Sequence, residues 1–126
     1  CRLAIKCKTP DRIMLVTDAM SHVGSEQIAL EFAGMQINRQ GNKLTIEGGR
    51  LAGSVLDMAS AVRNSVTSLG CSIQDALKMA STTPATFLGL QQQKGYLAAG
   101  FEADWVVLTD QYYVKATYIA GKQVSG

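Results

Sequence analysis

The spacing of apolar positions changes several times along the chain, and each change predicts a different element. Leu3-Ala4-Ile5 followed by lysines reads as the tail of a helix. Thr9-Pro10-Asp11 stops it, because proline cannot continue a helix and pushes the residue before it toward extended geometry. Ile13-Met14-Leu15-Val16 is then an unalternated apolar run between Arg12 and Thr17-Asp18. Such a run predicts a strand buried on both faces, as in parallel sheets, with a short core-helix segment as the alternative. Further on, Met35/Ile37 and Leu44/Ile46 alternate with polar residues on either side of Gln40-Gly41-Asn42, which predicts a β-hairpin with one buried face. Glu47-Gly48-Gly49-Arg50 ends it.

Helical spacing follows. Val55, Ala59, Val62, Val66 and Leu69 recur at fours and threes, predicting a helix over Ser54–Leu69. Ser54 with Asp57 resembles a capping box, and Gly70 a C-cap. Ser72 with Asp75 repeats the device before a stripe of Ile73, Ala76, Leu77 and Ala80. Thr83-Pro84 predicts a short helix that Gly89 closes. The last third is β again: a strand over Ala103–Leu108, then a hairpin of Tyr112–Ile119 and Lys122–Val124 about Ala120-Gly121. The order is helix tail, buried strand, hairpin, three helices and a small β cluster. It fits an α/β chain of two partial domains better than one domain.

Composition narrows the function classes. The 126 residues are 47% hydrophobic and 17% charged with net charge +2, which suits one ordinary globular domain and excludes intrinsic disorder. No apolar run reaches the length of a membrane span. Lysines and arginines are scattered, so no basic stripe for nucleic acid forms. Cys1, Cys7 and Cys71 match no zinc pattern and suit a reducing compartment. The N-terminus has no signal-peptide pattern, so a cytoplasmic location is expected. The chain opens on Cys1 and holds one histidine, His22. The first suggests a piece of something longer, and the second excludes a self-contained histidine metal centre.

Asp18 is the leading candidate for chemistry. It ends the apolar run, and in parallel barrels polar residues at strand C-termini face the active-site mouth. A carboxylate there can take a proton from a water and return it to a leaving group. A helix-cap or turn aspartate has the same local sequence. Gly48–Ser54 is a glycine-rich loop predicted to run into a helix, where free N–H groups would hold an anion, although a flexible connector reads the same. His22, four residues beyond Asp18 in the same loop, could touch substrate, but a lone loop histidine is expected to be solvated. Cys71 at a helix start is a candidate reactive thiol without a histidine nearby in sequence. Trp105, Tyr112, Tyr113 and Tyr118 are expected in the β layer rather than on a base-stacking surface.

Five segments resemble the N-acetylglucosamine-6-phosphate deacetylase family of the amidohydrolase superfamily. They are LVTDAM (Leu15–Met20), LAGSVLDMASAVRN (Leu51–Asn64), ALKMASTTPATFLGL (Ala76–Leu90), KGYLAAGFEADWVVL (Lys94–Leu108) and YIAGKQV (Tyr118–Val124). The later blocks are common to amidohydrolases, whereas VTDAM, the hairpin and LAGS in combination point to the deacetylases. The resemblance implies the C-terminal end of a (β/α)8 metal-dependent hydrolase barrel over 1–93 and the C-terminal strands of a small β-sandwich over 94–126. It makes Asp18 the catalytic aspartate, activating a metal-bound water and passing its proton to the departing amine. Leu51, Ala52 and Gly53 become the substrate-contacting loop, acting through the backbone, and the helices at 54–69 and 72–81 join the outer ring.

The family's divalent metal, zinc or iron, is held by a glutamate and two histidines that lie upstream and have no counterpart here. The chain is therefore expected to be inactive alone. Its expected partners are an amino-sugar phosphate substrate in the complete enzyme and further copies of itself, with no nucleic acid or membrane. Another amidohydrolase, or a noncatalytic self-associating scaffold with exposed barrel and sandwich edges, are the competing readings.

Overall fold

The computed structural model describes residues 1–125. In chain order the elements are α1 (Arg2–Cys7), a 3-10 turn at Pro10–Arg12, β1 (Ala29–Phe32), β2 (Met35–Gln40), β3 (Lys43–Thr45), a second 3-10 turn at Glu47–Gly49, β4 (Leu51–Ser54), α2 (Met58–Thr67), α3 (Ile73–Ala80), α4 (Thr82–Phe87), β5 (Trp105–Leu108), β6 (Val114–Ile119) and β7 (Lys122–Ser125). They form two compact units, Thr17–Asp57 and the residues on either side of it.

The Thr17–Asp57 unit is an antiparallel meander in the order β1-β2-β3-β4. Arg39 pairs with Leu44 in the hairpin that the alternation about Gln40-Gly41-Asn42 predicts, and Leu30 pairs with Ile37 in a further strand pair that it does not. Ile37 and Leu44 are fully buried and make its apolar centre. Full burial of side chains of this size is worth about 1.5 to 3 kcal/mol each.

In the other unit, α2, α3 and α4 bury Ala61, Val62, Ala76, Met79 and Ala85, and β5-β6-β7 form an antiparallel sheet. Ser72 caps α3 as predicted, its hydroxyl accepting the Asp75 N–H at 3.1 Å. The terminal hairpin turns at Ala120-Gly121, both at positive φ, which matches the twist of the flanking strands.

Several expectations change. Ile13–Val16 is not a strand: Ile13 is extended, but no described residue forms a ladder with this segment. Val16 is 77% exposed and Met14 lies open, whereas Ile13 and Leu15 are half-buried and the Leu15 N–H donates to the Met79 carbonyl at 3.0 Å. Strand conformation needs a pairing partner, and apolar character alone does not supply one.

The helix predicted from Ser54 begins at Met58 instead. Leu51–Ser54 pairs with β3, and Gly53 at φ +127° lies outside helical space. Sheet pairing there overrides local capping. The buried face of α2 is Ala61, Val62 and Ser65, rotated from the predicted stripe, and in α3 Met79 is buried while Leu77 lies open. Thr83 sits inside α4, with its hydroxyl donating to the Pro10 carbonyl at 2.7 Å.

Candidate active site

Asp18 and the Leu51–Gly53 loop, 33 or more residues apart in sequence, meet in the Thr17–Asp57 unit. The meander returns β4 alongside the segment that carries Asp18, where Ala19 and Ser54 form a parallel bridge. The Ser54 N–H donates to the Asp18 carbonyl at 2.9 Å, and the Met20 N–H donates to the Ser54 carbonyl at 3.0 Å. The Ser54 hydroxyl donates to the Thr17 carbonyl at 2.6 Å and accepts the Leu56 N–H at 3.0 Å. Ser54 is therefore a strand-end residue tying two segments, not a helix cap.

Gly53 is buried in this junction. A Cβ there would lie 2.9 Å from Met20 Cγ and 3.1 Å from the Asp18 carbonyl oxygen, so only glycine allows the two backbones to approach this closely. The pairing of β3 with β4 slips between Leu44 and Thr45, leaving Ala52 as an extra residue in β4. Such a bulge re-aims the strand locally. Leu51 is 67% exposed and Ala52 half-buried.

The Asp18 side chain is exposed, and its carboxylate has no hydrogen-bond or ion-pair partner among the described residues. Its backbone lies in the left-handed region at φ +51°, where aspartate is one of the few non-glycine residues at ease. The arrangement presents a free carboxylate from a pinned backbone. Such a group can accept a proton from water and release it to a basic leaving group.

The other candidates fare differently. His22 is fully buried rather than solvated, and neither ring nitrogen has a partner among the described residues. Nothing in the local sequence signals this, because Ser21, Gly24 and Ser25 read as a solvated loop and Met20 and Val23 show no periodic apolar pattern. The glycine-rich loop runs through the Glu47–Gly49 turn into β4 and not into a helix, so no helix start offers its N–H groups there. Burial pushes the Cys71 thiol up, and the Asp75 charge adds to it, so the thiolate is disfavoured. Trp105 and Tyr118 are cross-strand partners whose rings stack at 4.9 Å, and the Arg63 guanidinium lies 4.2 Å from the Tyr113 ring centre. Trp105 and Tyr118 lie in the sheet as expected, whereas Tyr112 and Tyr113 precede β6 and Tyr113 is 57% exposed.

No group of three or more histidine, cysteine, aspartate or glutamate side chains among the described residues is placed to hold a metal ion. With the only histidine sealed in the core, Asp18 stands as a single carboxylate. The residues present do not fit a metal centre. No described helix is long and apolar enough to cross a membrane.

Comparison with known proteins adds the wider context. A model described as the amidohydrolase family matches residues 4–124. An N-acetylgalactosamine-6-phosphate deacetylase of Shewanella sp. (strain ANA-3) is 46% identical over 119 residues, covering 94% of this chain and 30% of that protein. An N-acetylglucosamine-6-phosphate deacetylase of Bos taurus is 38% identical over 116 residues, covering 91% and 28%. The crystal structure of N-acetylglucosamine-6-phosphate deacetylase from Pasteurella multocida superposes with a TM-score of 0.94 at 26% identity, over 99% of this chain and 33% of that one. The chain thus spans about a third or less of the length of the proteins it matches.

Proposed function

The chain belongs to the amidohydrolase family, and from that premise we propose that it supplies the catalytic carboxylate and a substrate-contacting strand to a deacetylase of N-acetylglucosamine 6-phosphate. The observation that carries this reading is the junction at Asp18 and Gly53, where the Asp18 backbone is held against the bulged Leu51–Gly53 strand and its carboxylate has no partner among the described residues. Asp18 takes a proton from the water that attacks the acetamide carbonyl. It then delivers that proton to the departing amine, giving glucosamine 6-phosphate and acetate. Leu51, Ala52 and Gly53 contact the sugar through backbone groups.

The amidohydrolase family is generally metal-dependent. A divalent metal, zinc or iron, would be held by groups outside these residues, so the 126-residue chain is inactive alone. In this reading residues 1–93 are the C-terminal part of a (β/α)8 barrel and 94–126 the C-terminal strands of a β-sandwich. The open Ile13–Val16 segment, unpaired here, would become a barrel strand once the complete enzyme supplies its neighbours. The protein works in the cytoplasm as a homo-oligomer on an amino-sugar phosphate.

A second reading takes the galactosamine epimer as substrate. The 46% identity to the Shewanella enzyme, against 38% to the Bos taurus enzyme, favours it.

Both readings meet one test. The chain is assayed alone with divalent metal, and again grafted in place of the corresponding segment of the bacterial relative, following acetate release from each 6-phosphate. Activity is expected only in the graft and is lost in Asp18→Asn, and the preferred epimer decides between the readings. Turnover by the isolated chain would overturn its inactivity alone. A folded graft that hydrolyses neither substrate would overturn the deacetylase reading.

A further inference from the structure

We propose that Ser54 is the positioning residue for Asp18, its hydroxyl holding that aspartate in the left-handed backbone conformation from which the carboxylate is presented. The catalytic meaning of this rests on the reading of Asp18 given above; the geometry stands apart from it.

Asp18, Ala33, Tyr112 and Ala120 are the non-glycine residues at positive φ among those described. Ala33 and Ala120 each precede a glycine in a two-residue hairpin turn, between Phe32 and Met35 and between Ile119 and Lys122, and such turns demand positive φ. Tyr112 closes a turn on the Thr109 carbonyl at 2.8 Å. Asp18 lies in no turn. Its conformation is held from outside the segment, because even aspartate, which tolerates positive φ, favours negative φ when left alone.

The bonds that impose it come from Ser54. Its N–H reaches the Asp18 carbonyl at 2.9 Å, its carbonyl receives the Met20 N–H at 3.0 Å, and its hydroxyl reaches the Thr17 carbonyl at 2.6 Å. The first two are backbone bonds open to any residue. They restrain the chain after the Asp18 φ rotation but leave the peptide before it free. The hydroxyl bond to Thr17 fixes that preceding peptide, so together the three grip both sides of the rotatable bond. The Leu56 N–H, donating to the hydroxyl oxygen at 3.0 Å, orients the hydroxyl for its task. The direction in which Cα–Cβ of Asp18 leaves the chain follows from this grip.

The test uses isotope-labelled 126-residue chain and reads the Asp18 HN–Hα coupling and its Cα and Cβ shifts, which report the sign of φ. Ser54→Ala is expected to lose the left-handed signature at Asp18, with the β2–β3 hairpin signals kept, and Ser54→Thr to retain it. Asp18 remaining left-handed in Ser54→Ala overturns the proposal. Should Ser54→Ala unfold the hairpin, Ser54→Thr decides: the signature retained supports the proposal, and the signature or the hairpin lost overturns it.

In the active graft, Ser54→Ala should lower kcat about tenfold at unchanged KM, with Ser54→Thr restoring it. A graft without activity whose Asp18 signature still follows the hydroxyl removes the deacetylase reading and keeps the clamp. An active graft whose signature ignores the hydroxyl removes the clamp.

Discussion

Two aspartates of this chain are held in opposite ways. Asp104, at the entry to the C-terminal sheet, has its carboxylate fully engaged: one oxygen accepts the Ala120 N–H at 2.9 Å and the other takes the Lys94 ammonium at 2.7 Å. Lys94 also bridges to Glu102. Asp18 shows the reverse, with its backbone gripped by Ser54 and its carboxylate without a partner among the described residues. A carboxylate that caps a turn is consumed by structure, whereas one meant for chemistry needs its frame fixed and its oxygens free. With Asp18 read as proposed, what is hydrogen-bonded, side chain or frame, separates the two roles better than exposure does, since both groups are exposed.

The largest effect should come from Asp18. Asp18→Asn keeps a residue that tolerates left-handed φ and should lower kcat of the grafted enzyme roughly 100- to 10,000-fold. Its unfolding free energy should stay within about 0.5 kcal/mol of the parent chain. A variant that melts early would break the contrast, because Asp18 would then be structural too.

Gly53→Ala comes next. Positive φ and the close Met20 and Asp18 atoms should together cost about 2 to 4 kcal/mol, read by urea titration of the hairpin signals. A loss below about 0.5 kcal/mol would mean that the two backbones do not approach as described.

His22→Leu should leave the melting temperature unchanged or raise it, by an equivalent of up to about 1 kcal/mol. It replaces a buried ring whose nitrogens bond to nothing with an apolar side chain. A large loss would reveal a hydrogen-bonding role for the ring.

Asp104→Asn is the smallest. The Ala120 amide first, and Lys94 second, hold the Asp104 carboxyl below the usual carboxylate range. A group lowered on folding contributes its stability above the unfolded value and loses it as pH falls through the folded one. Melting temperatures measured from neutral pH downward should therefore fall less steeply for Asp104→Asn than for the unmodified chain. Superposable profiles would leave Asp104 without its structural role.

How legible these features were depends on how far each interaction reaches. The Ser72 cap on Asp75 and the two hairpins rest on partners three to eight residues away, and the pattern of the chain predicts them where they occur. Ser54 has the same local cue as Ser72, a serine three residues before an aspartate, yet it ends a strand. Its partners Thr17 and Asp18 are far away in sequence, and pairing with β3 offered more than one cap bond. Ile13–Val16 failed for a related reason, since a strand requires a ladder that its own residues cannot announce. Asp18 is proposed from its place after the apolar run and from the family resemblance. The bonds that set its backbone left no local trace.

The Ser54 hydroxyl reaches back 37 positions to Thr17, with the whole β1–β3 meander between them. That span makes the junction late in folding: the loop can close cheaply only after the hairpins have shortened it. It should likewise be early to open, so the amides of Met20 and Ser54 would exchange with solvent before those of β2. Any insertion within the meander would then lengthen the path to closure and slow the assembly of the junction, even with every residue of the site unchanged.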